Sequence, residues 1–217
     1  MKNALVVLNI GDRLCANARS SLQAACTRWG CLFLEITENM VGDQDLCFNK
    51  VVGIRKYHET LGLDWVMYVD SDILIRSDAP SPFQVFINVL KVHAARDAYD
   101  FWSPERLMCH RVGVSDDWLR EVHSRLRWDV DIERLVQTSP EWFFNAGMFI
   151  LQPKYLTAEI DAFISNIPPK KVNSRFEQAL WNYILKIHNK TLLVDQAWNS
   201  ERLQYLRCKS HLLGSVV

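Results

Sequence analysis

An acidic tripeptide, Asp70-Ser71-Asp72, interrupts the otherwise apolar stretch WVMYVDSDILI at residues 65–75. In extended backbone, side chains two residues apart point to the same side, which would place the two carboxylates a few ångströms apart. Two like charges so close are costly without a cation, and carboxylate oxygens are typical ligands of Mg²⁺ and Mn²⁺, which bridge phosphate oxygens. A turn that merely ends a strand is the alternative explanation. We interpret Asp70 and Asp72 as metal ligands.

A second polar loop, Gly11-Asp12, follows the apolar run ALVVLNI at residues 4–10. Ligands of an open α/β sheet bind outside the carboxyl ends of its strands. Because both polar loops follow buried strands, we expect them to face one cleft. Gly11 lets a ligand approach the backbone closely, and Asp12 can accept hydrogen bonds from it, although Asp12 also suits the N-cap of the following helix.

The elements that position these loops alternate regularly along the first part of the chain. Apolar runs at 4–10, 31–36 and 65–69 predict buried strands, and apolar positions spaced three and four apart predict helices at 13–28 and 45–61. This β-α-β-α-β order implies a parallel sheet with helices on its faces.

The rest of the chain is less regular. We expect an apolar strand to resume at Ile73-Leu74-Ile75, and the strand around Phe144 to be interrupted by Asn145-Ala146-Gly147. Ser174 to Glu177 form a capping box that opens a helix. The fold class is therefore α/β, with a mixed, mostly parallel sheet flanked by helices in a single domain, 1–217. The further predicted helices are 81–93, 115–137, 155–166 and 174–188, and the further predicted strands are 97–104, 141–153 and 191–195.

Composition narrows the class of function. Lys+Arg and Asp+Glu both number 25, so the net charge is zero, which disfavours binding of nucleic acid through a basic surface. The six cysteines form no Cys-x-x-Cys pair, so we expect reduced thiols and no zinc knuckle. The apolar runs are too short for a transmembrane helix or a signal peptide, so we expect a cytoplasmic protein without a membrane span.

Five further motifs follow one another along the chain. They are NKVVGIRKYHETLGLDWVMYVDSDILIRSDAPSPF at 49–83, FFNAGMFIL at 143–151, FEQALWN at 176–182, AWN at 197–199 and HLLG at 211–214. In this order they resemble the glycosyltransferases of the GT-A fold, most closely the family-8 type, which includes glycogenin and bacterial lipooligosaccharide galactosyltransferases.

The resemblance implies a metal site. Asp70, together with Ser71, would contact the metal and the ribose of a nucleotide sugar, and Asp72 would ligate the metal beside the diphosphate. His211 would complete the protein ligands through an imidazole nitrogen, which favours Mn²⁺ over Mg²⁺. The metal would act as a Lewis acid on the departing diphosphate. On its own, His211 would be interpreted as a surface histidine.

The resemblance also implies donor-binding roles. Asn9-Ile10-Gly11-Asp12 would hold the uracil and ribose of a UDP-sugar, the donor substrate. Lys50 would reach the donor sugar or phosphates, unless it lies on a solvated helix face. Asn145 and Gly147 would shape the sugar pocket, and Gln178 would lie near the anomeric carbon. We take Lys50, Asn145 and Gln178 as candidate catalytic residues.

Two positions depart from the family pattern. The family has Asp where this chain has Glu177, a residue that the capping box also explains. The family continues past His-x-x-Gly with a phosphate-binding lysine, whereas Ser-Val-Val follows Gly214 here. Arg76, Arg207 and Lys209 are candidate substitutes, and a domain cut from a longer protein would also explain the difference.

The predicted function is a metal-dependent transfer of a hexose from a UDP-sugar to a glycan or another acceptor. Retention of configuration is implied by the resemblance alone. Residues 1–100 would form the nucleotide-sugar-binding half, and residues 101–217 the acceptor and closing half, with the acceptor side of the cleft built by residues 100–140.

Other classes of protein share single features with this sequence. A haloacid-dehalogenase-like phosphatase also has Asp-x-Asp after a buried strand, but it carries Thr where Ile73-Leu74 follow here, and Asp116-Asp117 suits a helix cap better than a second acidic site. A non-catalytic nucleotide-sugar-binding domain would bind donor without metal-dependent donor hydrolysis. Sugar nucleotidyltransferases carry a basic, Gly-rich N-terminal loop that LNIGDRLC lacks.

Overall fold

The structure, a computed structural model, describes residues 1–96, 144–168, 175–194 and 198. In these ranges, helices alternate with strands up to residue 69, as the sequence predicts. The strands are β1 Asn3–Leu8, β2 Leu32–Ile36, β3 Trp65–Val69, β4 Val92–Arg96, β5 Phe144–Leu151 and β6 Thr191–Val194. The α-helices are α1 Ala16–Trp29, α2 Asn49–Leu61, α3 Pro82–Val85, α4 Thr157–Ser165 and α5 Arg175–Ile187, with 3₁₀ turns at Leu46–Phe48 and Pro153–Tyr155.

The six strands form one sheet in the order β2-β1-β3-β5-β4-β6. β1 pairs in parallel with β2 and β3, and β4 pairs in parallel with β6. β5 runs antiparallel to both of its neighbours, β3 and β4. The predicted α/β class with a mixed, mostly parallel sheet is therefore confirmed.

Apolar side chains fill both faces of the sheet because successive residues of each strand point to opposite sides. Val66 and Tyr68 of β3 join the core beneath α2, α4 and α5, whereas Met67 and Val69 join the core beneath α1. Trp181 of α5 is wholly buried in the first core. Burying a large apolar side chain contributes about 1.5–3 kcal/mol, so these two layers hold the strand ends in place.

The predicted helix at 81–93 is wrong. Helix α3 ends at Val85, and the chain enters β4 at Val92. Ile87 and Leu90, which would have extended the apolar helix face, are exposed. Pairing of β4 with a neighbour on each side outweighs the local helical spacing, since every backbone group of a central strand is satisfied by the sheet.

Two strand predictions also need correction. Ile73 to Ile75 form no strand, because the chain leaves the sheet in a turn after Val69. Asn145-Ala146-Gly147 lies within β5, which is continuous from Phe144 to Leu151, so the predicted break of the strand is wrong. The pairing of β5 with β4 is nevertheless irregular here, because its register shifts between Phe149 and Phe144. The predicted elements at 97–104 and 115–137 lie outside the described residues, and the division into two functional halves stays a prediction.

Membrane crossing has no support in the described ranges. No helix there has both the length and the apolar character that a crossing would need.

The side chain of Asn182 links α5 to the start of β5 through hydrogen bonds. This side chain is buried, accepts a hydrogen bond from Phe144 N at 2.8 Å, and donates to Phe144 O at 2.9 Å and Gln178 O at 3.0 Å. We expect Asn182→Ala to lower the free energy of unfolding by about 2–4 kcal/mol, measured by urea denaturation, because two buried backbone groups lose a partner.

The matched control is Asn166→Ala. Asn166, the residue after α4, is also buried, but among the described residues its side chain donates only to Ala162 O of that helix, and its Oδ1 has no hydrogen-bond partner there. We expect this variant to lose about 1 kcal/mol. Equal losses in the two variants would contradict the role given to Asn182.

Candidate active site

Lys50 lies at the centre of a charged cluster at the carboxyl end of β3. It belongs to the first turn of α2 and is only 5% exposed. Its Nζ lies 3.2 Å from Asp70 Oδ1 and 3.3 Å from Glu177 Oε2, and it donates to Ala146 O at 3.3 Å. The alternative that Lys50 occupies a solvated helix face is therefore wrong, while its predicted contact with a donor stays a prediction.

The carboxylates of this cluster shift the pKa values of the groups that contact them. Burial alone would lower the pKa of Lys50, but the carboxylates of Asp70 and Glu177 outweigh burial and raise it, so the ammonium stays protonated. Burial and the charge of Asp70 raise the pKa of Tyr68, whose hydroxyl donates to Asp70 Oδ1 at 2.8 Å. Two donors thus hold the same carboxylate oxygen of Asp70.

Asp70-Ser71-Asp72 forms a turn, so the extended geometry used to place the two carboxylates is wrong. Ile73 N donates to Asp70 O at 3.2 Å, and Asp70 N donates to Gly147 O at 2.7 Å, which ties the turn to β5. Asp72 is exposed, yet desolvation by nearby atoms and then the negative charge of Asp70 raise the pKa of its carboxyl. Both carboxylates therefore lie on one turn, close enough to influence each other, as a cation site needs.

Gly147 provides a small space beside this turn. A Cβ atom there would lie 2.8 Å from Asp70 Oδ2 and 2.7 Å from Asn145 Oδ1, which is closer than real Cβ contacts. Asn145 Oδ1 also accepts a hydrogen bond from Gly147 N at 2.7 Å. Two oxygens thus converge above a residue that has no side chain, and only glycine leaves room for them.

Glu177 and Gln178 bring the start of α5 into the same cluster. Gln178 Oε1 accepts from Ala146 N at 3.1 Å. Glu177 is 1% exposed, its Oε2 faces Lys50, and its Oε1 is buried without a hydrogen-bond partner in the part of the chain that the structure describes. Burial, opposed by Lys50 and assisted by the charge of Asp70, raises the pKa of Glu177. The predicted capping partner, Ser174, lies outside the described residues.

Sequence reasoning missed the parts that Glu177 and Tyr68 play here. A helical spacing of three and four places Glu177 on the same face as Leu180, Trp181 and Ile184, all of which are buried. That spacing was the available signal that the carboxylate of Glu177 points inward. Tyr68 precedes Asp70 by two positions, and in a strand such side chains point to the same side, so a contact between them could have been expected.

The loop after β1 lies at the same sheet edge, because β1 and β3 are adjacent and parallel. Asn9 is buried, with its Oδ1 accepting from Leu14 N at 2.9 Å and its Nδ2 donating to Glu35 Oε2 at 2.7 Å, while Arg19 also pairs with Glu35. These bonds shape the loop from within.

Two residues of the loop after β1, Gly11 and Asp12, adopt a left-handed backbone conformation. Gly11 and Asp12 have φ of 74° and 54°. Asp12 is exposed and is not the N-cap of α1, a position that Cys15 occupies, so that alternative is wrong. Ile10 is half-buried in the first core. Contact of Ile10 and its neighbours with a nucleotide stays a prediction.

The other candidate ligands are less informative. His211, Arg207 and Lys209 lie outside the described residues. Arg76 is exposed and forms an ion pair with Asp78 at 2.6 Å. Within the ranges that the structure covers, no group of three or more His, Cys, Asp or Glu side chains could hold a metal ion. The described oxygens that fit a hard cation are those of Asp70, Asp72 and Asn145.

Gly147→Ala tests the space above Gly147. The new Cβ would force the Asp70 carboxylate to move, so we expect Mn²⁺ affinity, measured by electron paramagnetic resonance, to fall about tenfold. The control is Gly62→Ala, where φ is 64° and no atom lies within 4 Å of the added Cβ. That variant adds backbone strain without touching the cluster, so equal loss of Mn²⁺ affinity in both variants would contradict the proposed space.

No family model and no curated protein matches this chain. Among solved structures it is similar to a glycosyltransferase involved in the glycosylation of the major capsid of PBCV-1, with a TM-score of 0.55 and 13% identity over 90% of this chain and 83% of that one. It is also similar to the apo form of the glycosyltransferase GlyE of Streptococcus pneumoniae TIGR4, with a TM-score of 0.55, 14% identity and 100% of this chain covered.

A third similar structure is the apo form of the bifunctional glycosyltransferase WbbM, with a TM-score of 0.51 and 13% identity over 90% of this chain. This chain spans 52% of the GlyE structure and 39% of the WbbM structure. At such identities the likeness is one of fold. The chain has the fold that these glycosyltransferases share, as its resemblance to GT-A enzymes predicts.

Proposed function

We propose that this chain is a metal-dependent glycosyltransferase that transfers a hexose from a UDP-sugar to a glycan or another acceptor. One observation carries the proposal. On a fold shared with glycosyltransferases, a buried lysine and an acidic turn meet at the carboxyl end of a central strand, where ligands of α/β sheets bind. Retention of configuration is proposed from the family resemblance alone.

The charge of the cluster supports a divalent cation. Asp70 and Glu177 lie against the ammonium of Lys50, and Asp72 is on the same turn as Asp70. Burial raises the pKa of Glu177 to about 7, so near neutral pH the three carboxyl groups leave between one and two negative charges that Lys50 does not compensate. Asp70 and Asp72 would hold the cation, with Asn145 Oδ1 close by and His211 as the further ligand. Mn²⁺ or Mg²⁺, when bound, would supply Lewis-acid stabilisation of the diphosphate leaving group.

The described side chains would position the donor around that cation. The loop Asn9 to Asp12, held from within by Glu35, would bind uracil and ribose. Gly147 would let the hexose approach the sheet, beside Asn145. Gln178, held by Ala146 N, would lie near the anomeric carbon. Binding donor and acceptor in one cleft would supply proximity.

The phosphatase alternative has less support. A phosphatase of this type uses the first Asp as a nucleophile and carries Thr where Ile73-Leu74 follow Asp72 here. The fold of this chain is also the one that the similar glycosyltransferase structures have. Trapping of an aspartyl phosphate at Asp70 would reverse this assignment.

A donor screen tests the proposal. We expect UDP-glucose or UDP-galactose to bind in calorimetry when Mn²⁺ is present and to hydrolyse slowly, and both signals to disappear with EDTA. Asp72→Asn and His211→Ala should each weaken Mn²⁺-dependent donor binding about 10–100-fold, because each removes a ligand.

The control variant is Asp161→Asn, which removes an exposed carboxylate that pairs with Arg55 and is not one of the proposed donor or metal ligands. It should bind donor like the unsubstituted chain. If Asp72→Asn and His211→Ala both retain full donor binding, the metal site is assigned wrongly. If donor binds but is never hydrolysed or transferred, the chain is a non-catalytic nucleotide-sugar-binding domain.

A further inference from the structure

The ammonium of Lys50 is shared between two carboxylates that come from different elements. Asp70 follows β3 and Glu177 belongs to α5, and their oxygens lie 3.2 Å and 3.3 Å from Nζ. Ala146 O accepts at 3.3 Å. A lysine ammonium has three N–H donors, which matches the number of acceptors around Nζ. Neither carboxylate is favoured by distance.

The two carboxylates differ in what else surrounds them. Asp70 is open to solvent, with 39% of its side chain exposed, and Asp72 lies on the same turn. Glu177 has 2% of its side chain exposed, and no described residue forms a hydrogen bond with its Oε1. A cation entering from solvent therefore meets Asp70 and not Glu177, which leaves Glu177 to compensate the buried ammonium.

A divalent cation and the Lys50 ammonium compete for the same carboxylate. If Asp70 were the only partner of Lys50, cation binding would leave a buried ammonium without a counter-charge, which is costly. Glu177 removes that cost, since it faces Lys50 whether or not Asp70 holds a cation. Tyr68 keeps Asp70 Oδ1 on the Lys50 side, so that Oδ2 points to the space above Gly147.

We propose that Glu177 is a positioning residue that holds Lys50 and thereby keeps Asp70 available to a divalent cation. This inference rests on the proposed metal site, and it assigns Glu177 a function distinct from contact with the sugar. A capping box would explain Glu177 only as part of a helix start, whereas this inference gives its carboxylate a role at the metal site.

The test compares the Mn²⁺ affinity of the unsubstituted chain with that of its variants, without nucleotide, measured by water-proton relaxation enhancement. Glu177→Gln keeps the shape of the side chain and removes its charge. Lys50 then depends on Asp70 alone, and we expect Mn²⁺ affinity to fall about five- to tenfold. The double variant Lys50→Met/Glu177→Gln removes both charges, so we expect its affinity to return to within about threefold of the unsubstituted chain.

A purely structural role for Glu177 gives a different pattern, because the double variant would then bind Mn²⁺ no better than Glu177→Gln. The matched control is Glu159→Gln. Glu159 is another buried glutamate, paired with His188 at 2.6 Å and Lys190 at 4.0 Å, and it should not affect Mn²⁺ binding when substituted. Circular dichroism checks folding, and Lys50→Gln/Glu177→Gln replaces the first double variant if that one does not fold.

The outcomes separate the two proposals. No Mn²⁺ binding by the unsubstituted chain overturns the proposed metal site and this inference with it. Normal Mn²⁺ binding by Glu177→Gln, or a double variant as weak as Glu177→Gln, overturns this inference alone. Equal weakening by Glu159→Gln also overturns it, because the effect would then be general to buried glutamates.

Discussion

The buried ammonium of Lys50 is the interaction on which the rest of the site depends. It joins the first turn of α2 to the acidic turn after β3, the backbone of β5 and the start of α5. A buried charge is tolerated only when it is paired and hydrogen-bonded, so each of these elements has to arrive in the correct place. The packing of two apolar cores on opposite faces of the sheet makes that convergence possible, since it fixes the helices over the strand ends.

The antiparallel direction of β5 is as important to the geometry of the site as the Lys50 ion pairs are. Because β5 runs antiparallel to β3, its beginning lies beside the end of β3, and Met148 pairs with Val69. Residues 145–147 are thereby brought to the acidic turn, where a parallel strand would have placed its own end. Because this one strand runs in the opposite direction, the acidic turn 70–72 and residues 145–147, which are distant in sequence, lie at the same edge of the sheet.

Local sequence was sufficient where local forces decide the structure. The run WVMYV predicts β3 with its bounds, because five apolar residues in succession are buried on both faces. The motifs of the family resemblance identified Lys50, Asn145, Gly147 and Gln178, which the structure brings into one cluster around Asp70. The nucleotide, metal and sugar contacts assigned to them stay predictions.

Long-range pairing was not predictable in the same way. The helix predicted at 81–93 ends at Val85, and Val92 and His93 instead pair with strand residues far along the chain. Helical spacing indicates that Glu177 points inward, but its partner there, Lys50, lies more than a hundred positions earlier in the sequence. The sequence also suggested an extended Asp-x-Asp, whereas the hydrogen bond from Ile73 N to Asp70 O closes it into a turn.

The pairing of Arg96 with Phe144 has a consequence for how this fold can diversify. Arg96 is the last residue of β4 and Phe144 the first of β5, and these two residues are direct partners across the two strands. The sheet therefore holds residues 96 and 144 side by side through their own pairing. A change in the number of residues between them would leave this pairing, and with it the Lys50 cluster, in place.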